Sequence, residues 1–175
     1  LVVQGTMVSA QYVWEGEELP LDIKELVRGT DIPVVVGGCV NYHTAMHLMR
    51  TGAAGIVVGY GATEGITTTG EVLGINVAMV TAIADAAAAR RDYMEESGGR
   101  YVHVIANGDL NSSGDIAKAI ACGADAVMAG LLLAQAQEAA GKGVYWPIVA
   151  GHPANPRGAV VPVMTEYEAC LLYTS

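Results

Sequence analysis

The segment 59–74 combines glycines with hydroxyl side chains and is the first candidate for chemistry in this sequence. Glycine-rich loops expose backbone N–H groups, and hydroxyls beside them can complete a cradle for a phosphate group. Gly59, Gly61 and Thr63 are therefore predicted to bind a phosphate-bearing ligand. The segment is not a P-loop, because no Gly-Lys-Ser/Thr sequence follows it.

Two further segments favour a ligand site shared between several loops. Asn107 and Gly108 follow one apolar run and precede the Ser-Ser-Gly-Asp sequence at 112–115, while Gly130 follows another apolar run. Glycines also end the run at 32–36. One such cluster would indicate only a tight turn, whereas four at equivalent positions favour a common ligand. Gly108 and Gly130 are predicted to complete the phosphate cradle.

A metal site is the other chemistry that the spacing allows. Cys39, His43 and His47 are spaced like metal ligands, with both histidines on one face of a predicted helix. However, the neighbourhood offers no fourth ligand and no His-Glu-x-x-His pattern. Histidines exposed on a helix are the preferred interpretation, so no metal is predicted.

Five apolar, β-branched runs must position these residues, and Ala-rich helical stretches separate them. The runs are continuous rather than alternating, which is typical of parallel strands buried on both faces. Strands are predicted at 1–5, 32–36, 55–58, 101–106 and 126–129, and helices at 21–27, 44–50, 79–96, 114–121 and 132–140. Repeated β-α units form either an open doubly wound sheet or a (β/α)₈ barrel. Both folds place ligands at the carboxyl ends of their strands.

The number of strands indicates part of a barrel. A (β/α)₈ barrel needs eight strands and about 250 residues, whereas only five are predicted here and the first begins at residue 1. We therefore expect an α/β chain that holds the C-terminal five β-α units of a TIM barrel. Residues 1–160 would form this partial domain, and 161–175 would be a non-native or disordered tail.

Composition excludes several classes of protein. Hydrophobic residues make up 52% of the 175 residues and charged residues 15%, which is unlike a disordered chain. The net charge of −9 argues against nucleic acid as a partner, since a phosphate backbone attracts a basic face. Apolar runs are too short for a membrane span. Three cysteines without paired spacing indicate reduced thiols and a cytoplasmic location.

The sequence at 105–130 resembles the IMP dehydrogenase/GMP reductase family. The family has an Ala-Asp-Gly-Gly turn, Ser-Gly-Asp, Lys-Ala and Gly-Ala-Asp-Ala-Val-Met, where this chain has Ala-Asn-Gly-Asp, Ser-Gly-Asp, Lys-Ala and Gly-Ala-Asp-Ala-Val-Met. Residues 74–84 also match the segment that follows the family's catalytic loop. The resemblance covers about residues 1–160 and is greatest to bacterial IMP dehydrogenase-like paralogues that lack the catalytic cysteine. It is carried there by the sequences at 4–6, 47–55 and 90–93.

This resemblance implies a purine-nucleotide oxidoreductase of guanine nucleotide metabolism. The ligand would be IMP, GMP or a related purine monophosphate, and the cofactor NAD or NADP; a monovalent cation is also compatible with the family. The family fold is a (β/α)₈ barrel, usually in a homotetramer, so the full-length protein is expected to be a homo-oligomer. By the same resemblance Asn107 would meet the ribose, and Thr67 and Thr68 would lie near the base.

The chain departs from the family pattern at the residues that carry the chemistry. The family's catalytic cysteine is followed by Thr-Thr-Arg, whereas this chain reads Thr67-Thr68-Thr69-Gly70, which puts Thr67 or Ile66 in the cysteine position. A threonine hydroxyl is much less acidic than a thiol and needs an adjacent base to act as a nucleophile. Two alternatives therefore stay open. These are a catalytically impaired nucleotide-binding or regulatory paralogue, and a different TIM-barrel enzyme with a phosphate ligand.

Overall fold

The computed structural model describes residues 1–4, 11–12, 21–59, 77–108, 110–145 and 161–163. The described strands are β1 Val2–Gln4, β2 Gln11–Tyr12, β3 Leu21–Asp22, β4 Val35–Cys39, β5 Gly55–Val58, β6 His103–Ala106, β7 Ala126–Val127, β8 Val144–Tyr145 and β9 Val161–Pro162. The described helices are α1 Ile23–Arg28, α2 Tyr42–Met49, α3 Met79–Glu96, α4 Ser113–Ala121 and α5 Leu131–Ala134.

The central element is a five-stranded parallel sheet in the order β1-β4-β5-β6-β7. Each of its five strands is one of the five that the sequence predicts, and the strands are neighbours in chain order. Val36 pairs with Ile56, and Ile56 pairs with Val104, so the apolar runs lie side by side. The predicted β-α units therefore form one continuous sheet.

Helices cover one face of this sheet. Ile56 and Val58 of β5 and Val104 and Ala106 of β6 pack in one core with buried residues of α2, α3 and α4. Val36, on the same face, packs against Ile23 of α1. A doubly wound sheet carries helices on both faces, whereas a barrel carries them only outside. The arrangement corresponds to a barrel wall, which confirms the predicted fold class.

Local sequence signals begin three of the helices. The side chain of Asp22 accepts hydrogen bonds from the backbone N–H groups of α1. Asn41 accepts from Thr44 N at 2.9 Å ahead of α2, and Ser112 accepts from Asp115 N at 3.2 Å ahead of α4. These are standard N-cap contacts of Asp, Asn and Ser. Helix α3 has no side-chain cap, and its small alanines bury one face against the core instead.

Two predicted elements differ from the structure. The strand predicted at 32–36 is β4, Val35–Cys39, and the Gly37-Gly38 pair lies inside it instead of ending it. Proline has no N–H for a strand ladder, which fits Pro33 lying outside this strand. The helix predicted at 132–140 ends much earlier, at Ala134, because the next backbone bond, Ala136 N to Leu133 O, spans only three residues.

Two short antiparallel pairs, β2 with β3 and β8 with β9, are absent from the sequence prediction. In the second pair, Val144 lies opposite Pro162 and Tyr145 opposite Val161. The proposed division at residue 160 stays a prediction, and residues 164–175 lie outside the described part of the chain.

Candidate functional site

The carboxyl ends of four parallel strands are joined by backbone hydrogen bonds at one edge of the sheet. Gly59 N donates to Cys39 O at 2.8 Å, Asn107 N to Val58 O at 2.7 Å, and Met128 N to Ala106 O at 2.7 Å. Neighbouring strands lie about 4.8 Å apart. The sequence-predicted residues Gly59, Asn107, Gly108 and Gly130 are therefore brought to the same edge, which we call the carboxyl edge.

Gly59 is fixed by both its conformation and its surroundings. Its φ of +96° lies in the left-handed region that L side chains avoid. A Cβ there would overlap the backbone carbonyl oxygen of Asn107 and lie 3.0 Å from Cε of Met79. The backbones of Gly59 and Asn107 thus touch directly, which no larger residue at position 59 would allow.

Asn107 carries the most informative polar group of the carboxyl edge. Only 4% of the residue is exposed, and its side-chain Nδ2 has no hydrogen-bond partner among the residues that the structure describes. Leaving a buried polar group unpaired costs about 1–3 kcal/mol. An acceptor from a bound ligand would remove this cost, so the arrangement is suited to a ligand that offers an oxygen or nitrogen lone pair.

Gly130 completes the described part of the carboxyl edge, and the structure adds a residue that the sequence analysis missed. Tyr145 of β8 places the end of its ring against Gly130: a Cβ at position 130 would lie 3.0 Å from its Cζ. The glycines at 141 and 143, followed by Val-Tyr-Trp, are a hairpin signal that could have indicated a strand here. That signal would not have identified the contact with Gly130.

The Ser-Ser-Gly-Asp sequence at 112–115 contains the N-cap of helix α4. Asp115 Oδ2 accepts from Ser112 Oγ at 2.8 Å and from Asn111 N at 3.2 Å, while Oδ1 pairs with Lys118 Nζ at 2.7 Å. The hydrogen bonds from Lys118 and Ser112 lower the pKa of Asp115 from 3.8 to about 2. Ser112 and Asp115 therefore already have partners in this structure.

The remaining predicted site residues lie outside the described ranges. Gly61, Thr63, Thr67 and Thr68 all fall within 60–76, so their roles stay predictions.

The residues considered for metal binding are not gathered into a site. Cys39 is 1% exposed and its Sγ donates to Val57 O at 3.4 Å. Burial raises the pKa of this thiol to about 12, which disfavours the thiolate that a metal would need. His43 and His47 are exposed on α2. Within the described ranges, no three His, Cys, Asp or Glu residues are grouped to hold a metal ion.

The opposite, amino edge of the sheet holds a dense polar network around Asp125. Its Oδ2 accepts from Arg90 Nη1 at 2.6 Å and from Val104 N at 2.8 Å, and its Oδ1 accepts from Tyr101 Oη at 2.5 Å. Arg90 also stacks 4.9 Å from the centre of the Tyr101 ring. Burial raises the pKa of Asp125, but the hydrogen bonds from Tyr101 and Val104 and the charge of Arg90 outweigh it, so the net shift is downward.

Charged side chains of α3 form hydrogen bonds and ion pairs with residues of neighbouring elements. Arg90 bonds to Asp125 beside β7, and Glu96 receives a 2.6 Å contact from Arg50 at the end of α2. Asp92 accepts from Tyr42 Oη at 2.6 Å. These contacts connect the charged groups of α3 to neighbouring elements that pack against it.

None of the described helices is long and apolar enough to cross a membrane.

Known proteins with similar sequences match most of the chain. A protein named uncharacterized oxidoreductase from Mycobacterium bovis is 61% identical over 163 residues, which is 93% of this chain and 43% of that protein. The inosine-5'-monophosphate dehydrogenase of Methanocaldococcus jannaschii is 43% identical over 119 residues, which is 68% of this chain and 22% of that enzyme. The chain thus spans less than half the length of these curated relatives.

A solved structure has the same fold. The IMP dehydrogenase/GMP reductase-like protein of Corynebacterium glutamicum superposes with a TM-score of 0.80 at 53% identity, over 95% of this chain and 42% of that one. The sequence profile of the IMP dehydrogenase / GMP reductase domain matches residues 17–150. By fold, sequence and the span of this match, the chain belongs to the IMP dehydrogenase/GMP reductase family.

Proposed function

We propose that this chain forms the nucleotide-binding part of an oxidoreductase acting on a purine nucleoside monophosphate, IMP or GMP. Family membership and the oxidoreductase names of its relatives support the general class of reaction. The observation that carries the proposal is the buried, unpaired Nδ2 of Asn107 at the carboxyl edge. Ligand sites of β-α barrels lie at this edge.

In this proposal the carboxyl edge holds the sugar and phosphate. Asn107 donates from Nδ2 to a ribose oxygen, and an amide can do so without the negative charge that a carboxylate would bring near the phosphate. Gly59 allows the chain to leave β5 against the backbone of Asn107, as their contact requires. Gly108 and Gly130 would expose backbone to the phosphate, and Gly61 and Thr63 are proposed as further phosphate-binding residues.

NAD or NADP would accept or supply the hydride, but none of the described side chains forms a recognisable set of contacts for it, so no role is assigned to them. The monovalent cation expected from the family likewise stays a prediction. Thr67 and Thr68, near the base by resemblance, are the proposed catalytic residues.

A second candidate function is nucleotide binding without turnover. The specific observation in its favour is the threonine at the position of the family's catalytic cysteine. A hydroxyl does not ionise near neutral pH as an activated thiol does, so covalent attack on the purine requires a base beside Thr67.

Calorimetric titration of the full-length protein with IMP, GMP and the matching nucleosides tests the binding proposal. We expect both monophosphates to bind and the nucleosides to bind more weakly, because the phosphate contacts are lost. If no purine monophosphate binds, the site belongs to a different phosphate-ligand enzyme of the same fold.

Absorbance assays of IMP oxidation with NAD or NADP, and of GMP reduction with the reduced cofactors, then separate the two candidates. Turnover that Thr67→Ala abolishes supports a catalytic threonine. Tight binding without turnover, with activity gained in Thr67→Cys, supports the non-catalytic paralogue.

We further propose that the full-length protein is a cytoplasmic homotetramer without nucleic-acid partners. The acidic composition and sparse cysteines support the location and the partner class. Light scattering of the full-length protein tests the assembly.

A further inference from the structure

Asn107 is followed by glycine, and this is the single Asn-Gly pair in the sequence. Asparagine is among the chemically labile residues of proteins. The backbone nitrogen of the next residue can attack its side-chain amide carbon, and glycine permits this most readily because it has no Cβ to shield the nitrogen. The pair at 107–108 is therefore the position in this sequence that is most open to deamidation.

The backbone nitrogen of Gly108 lies just beyond the end of a strand ladder. Asn107 N donates to Val58 O at 2.7 Å, which joins the end of β6 to β5. Gly108 follows directly, is buried, and donates its N–H to none of the described residues. A nitrogen engaged in a ladder is held away from the side chain before it, whereas the Gly108 nitrogen is not held in this way.

The side-chain amide of Asn107 is also without a hydrogen bond to hold it. Its Nδ2 has no partner among the described residues, so none of them restrains the nitrogen that deamidation would release. By contrast, Asn41 is engaged at the start of α2, where its side-chain oxygen accepts from Thr44 N at 2.9 Å. Both reacting groups of the 107–108 pair therefore lack partners in the described part of the chain.

We propose that Asn107 and Gly108 form a deamidation site that converts Asn107 into aspartate. Gly108 N attacks Cγ of Asn107, the bond from Cγ to Nδ2 breaks, and Nδ2 leaves as ammonia with the proton that Gly108 N gives up. Water then adds to Cγ of the five-membered imide and breaks its bond to Gly108 N, which regains a proton. One water is consumed and one ammonia is released, with no oxidation or reduction. The inference goes beyond the proposed function, because it uses only groups of the chain and water.

The surroundings of Asn107 favour aspartate over isoaspartate as the product. Opening the imide at its other carbonyl would route the main chain through Cγ and lengthen it by one carbon. The backbone here is held on one side by the bond to Val58 O, and on the other a Cβ at Gly59 would lie only 3.0 Å from the carbonyl carbon of Asn107. The ordinary peptide bond fits this closely packed position, and a longer backbone does not.

The reaction turns a neutral hydrogen-bond donor at position 107 into a charged acceptor. The product has the residue type of the family pattern, which reads Ala-Asp-Gly-Gly where this chain reads Ala-Asn-Gly-Asp. A carboxylate accepts hydrogen bonds and cannot donate them, so hydroxyl groups of a ligand become its partners. Burying a carboxylate without partners costs more than burying an amide. Asn107→Asp should therefore unfold at a lower urea concentration than ligand-free wild type, and an equal midpoint would contradict this change of character.

The test of the site is peptide mass spectrometry of the full-length protein after prolonged incubation at neutral and at mildly alkaline pH. We expect the peptide that contains Asn107 to gain the mass of an amide-to-acid exchange, with release of ammonia. The gain should be faster at the higher pH, because the attacking nitrogen must lose its proton. Asn111 is exposed and followed by serine, so it serves as the internal control and should change more slowly.

Asn107→Gln is the matched variant, since it keeps an amide but would have to form a less favourable six-membered imide. We expect no mass gain at position 107 in this variant. A wild-type Asn107 peptide that stays unchanged, or that changes no faster than the Asn111 peptide, overturns the inference. Isoaspartate as the main product, identified by fragmentation, overturns the conversion to aspartate.

Incubation with IMP distinguishes this inference from the proposed function. If IMP accepts a hydrogen bond from Nδ2 and excludes water from the carboxyl edge, it should slow the mass gain at position 107 and leave that at Asn111 unchanged. Deamidation that IMP does not slow would count against nucleotide contact by Asn107, and so against the proposed function, while still supporting the modification site.

Discussion

The two edges of the parallel sheet differ in how far their polar side chains are hydrogen-bonded. At the amino edge, Asp125 accepts hydrogen bonds from Arg90, Tyr101 and the backbone of Val104. At the carboxyl edge, Asn107 is buried and its Nδ2 has no hydrogen-bond partner among the described residues. The same β6 strand connects both edges, so the difference arises from the residues that flank this strand on either side.

We therefore expect the polar groups of the amino edge to contribute to folding stability and those of the carboxyl edge to contribute to ligand binding. Satisfied hydrogen bonds to a partly buried carboxylate stabilise the folded state, whereas an unpaired buried amide destabilises it until a ligand arrives. In barrels, residues at the carboxyl ends of strands serve catalysis and binding, and the opposite face serves stability. Substitutions at the two edges should therefore affect different measurements.

The largest effect is expected from Asn107→Leu at the carboxyl edge. Removing the Nδ2 donor that follows β6 should weaken IMP or GMP binding about tenfold to a hundredfold. Because the amide is unpaired without ligand, the free energy of unfolding of the ligand-free protein should rise by about 1 kcal/mol. Calorimetric titration and urea unfolding measure the two quantities. Lower stability together with unchanged affinity would show that Asn107 has a structural role.

A smaller effect with the opposite pattern is expected from Asp125→Asn at the amino edge. The variant loses the ion pair with Arg90 and weakens the bonds from Tyr101 and Val104, which should lower the free energy of unfolding by about 1–2 kcal/mol. Nucleotide affinity should stay within about twofold of wild type.

Glu96→Gln is the matched control for Asp125→Asn. It also breaks an arginine–carboxylate pair, but the side chains of Arg50 and Glu96 are 56% and 48% exposed, against 14% and 26% for Arg90 and Asp125. Exposed pairs contribute little, so a change below about 0.5 kcal/mol is expected. Equal losses in the two variants would contradict a special role for the amino edge.

The smallest effect is a dependence of stability on acid pH. The pKa of Asp125 is lowered in the folded protein, and that of Asp115 falls from 3.8 to about 2. A carboxyl group whose pKa is lowered by folding stabilises the folded state at pH values above its pKa in the unfolded chain. This stabilisation is lost as the pH falls towards the pKa of the group in the folded protein. Urea unfolding of the ligand-free protein at about pH 5, pH 4 and pH 3 should show declining stability. The decline should be shallower in Asp125→Asn, and an equal slope would exclude a linked titration of Asp125.

Much of the carboxyl edge could be predicted from the sequence, because strand-ending glycines are a local signal. Gly59, Gly108 and Gly130 follow apolar runs, and parallel strands necessarily bring such positions together. Asn107 was indicated by its place in the family motif. Its unpaired amide could not be foreseen, since hydrogen-bond satisfaction depends on every neighbour and not on the chain next to it.

Other features needed the packed structure. The network around Asp125 joins a helix, a loop and a strand that are distant in sequence, so the pairing of Arg90 with Asp125 could not be derived from the local sequence. Helix α5 after β7 ends at Ala134, where the next backbone hydrogen bond spans three residues instead of four. Its alanine-rich sequence alone would favour a longer helix. Tertiary context overrides local propensity at both places.

The sequence by itself determined the repeating β-α order, the parallel sheet and the family, because continuous β-branched runs, helix caps and glycine turns act within a few residues. Only the tertiary structure decided that the described helices pack on the same face of the sheet and that Tyr145 lies against Gly130. It also decided that Asp125 has several hydrogen-bond partners, whereas Asn107 Nδ2 has none among the described residues. These depend on which surfaces meet when the units pack, and burial and pairing energies are properties of that packing.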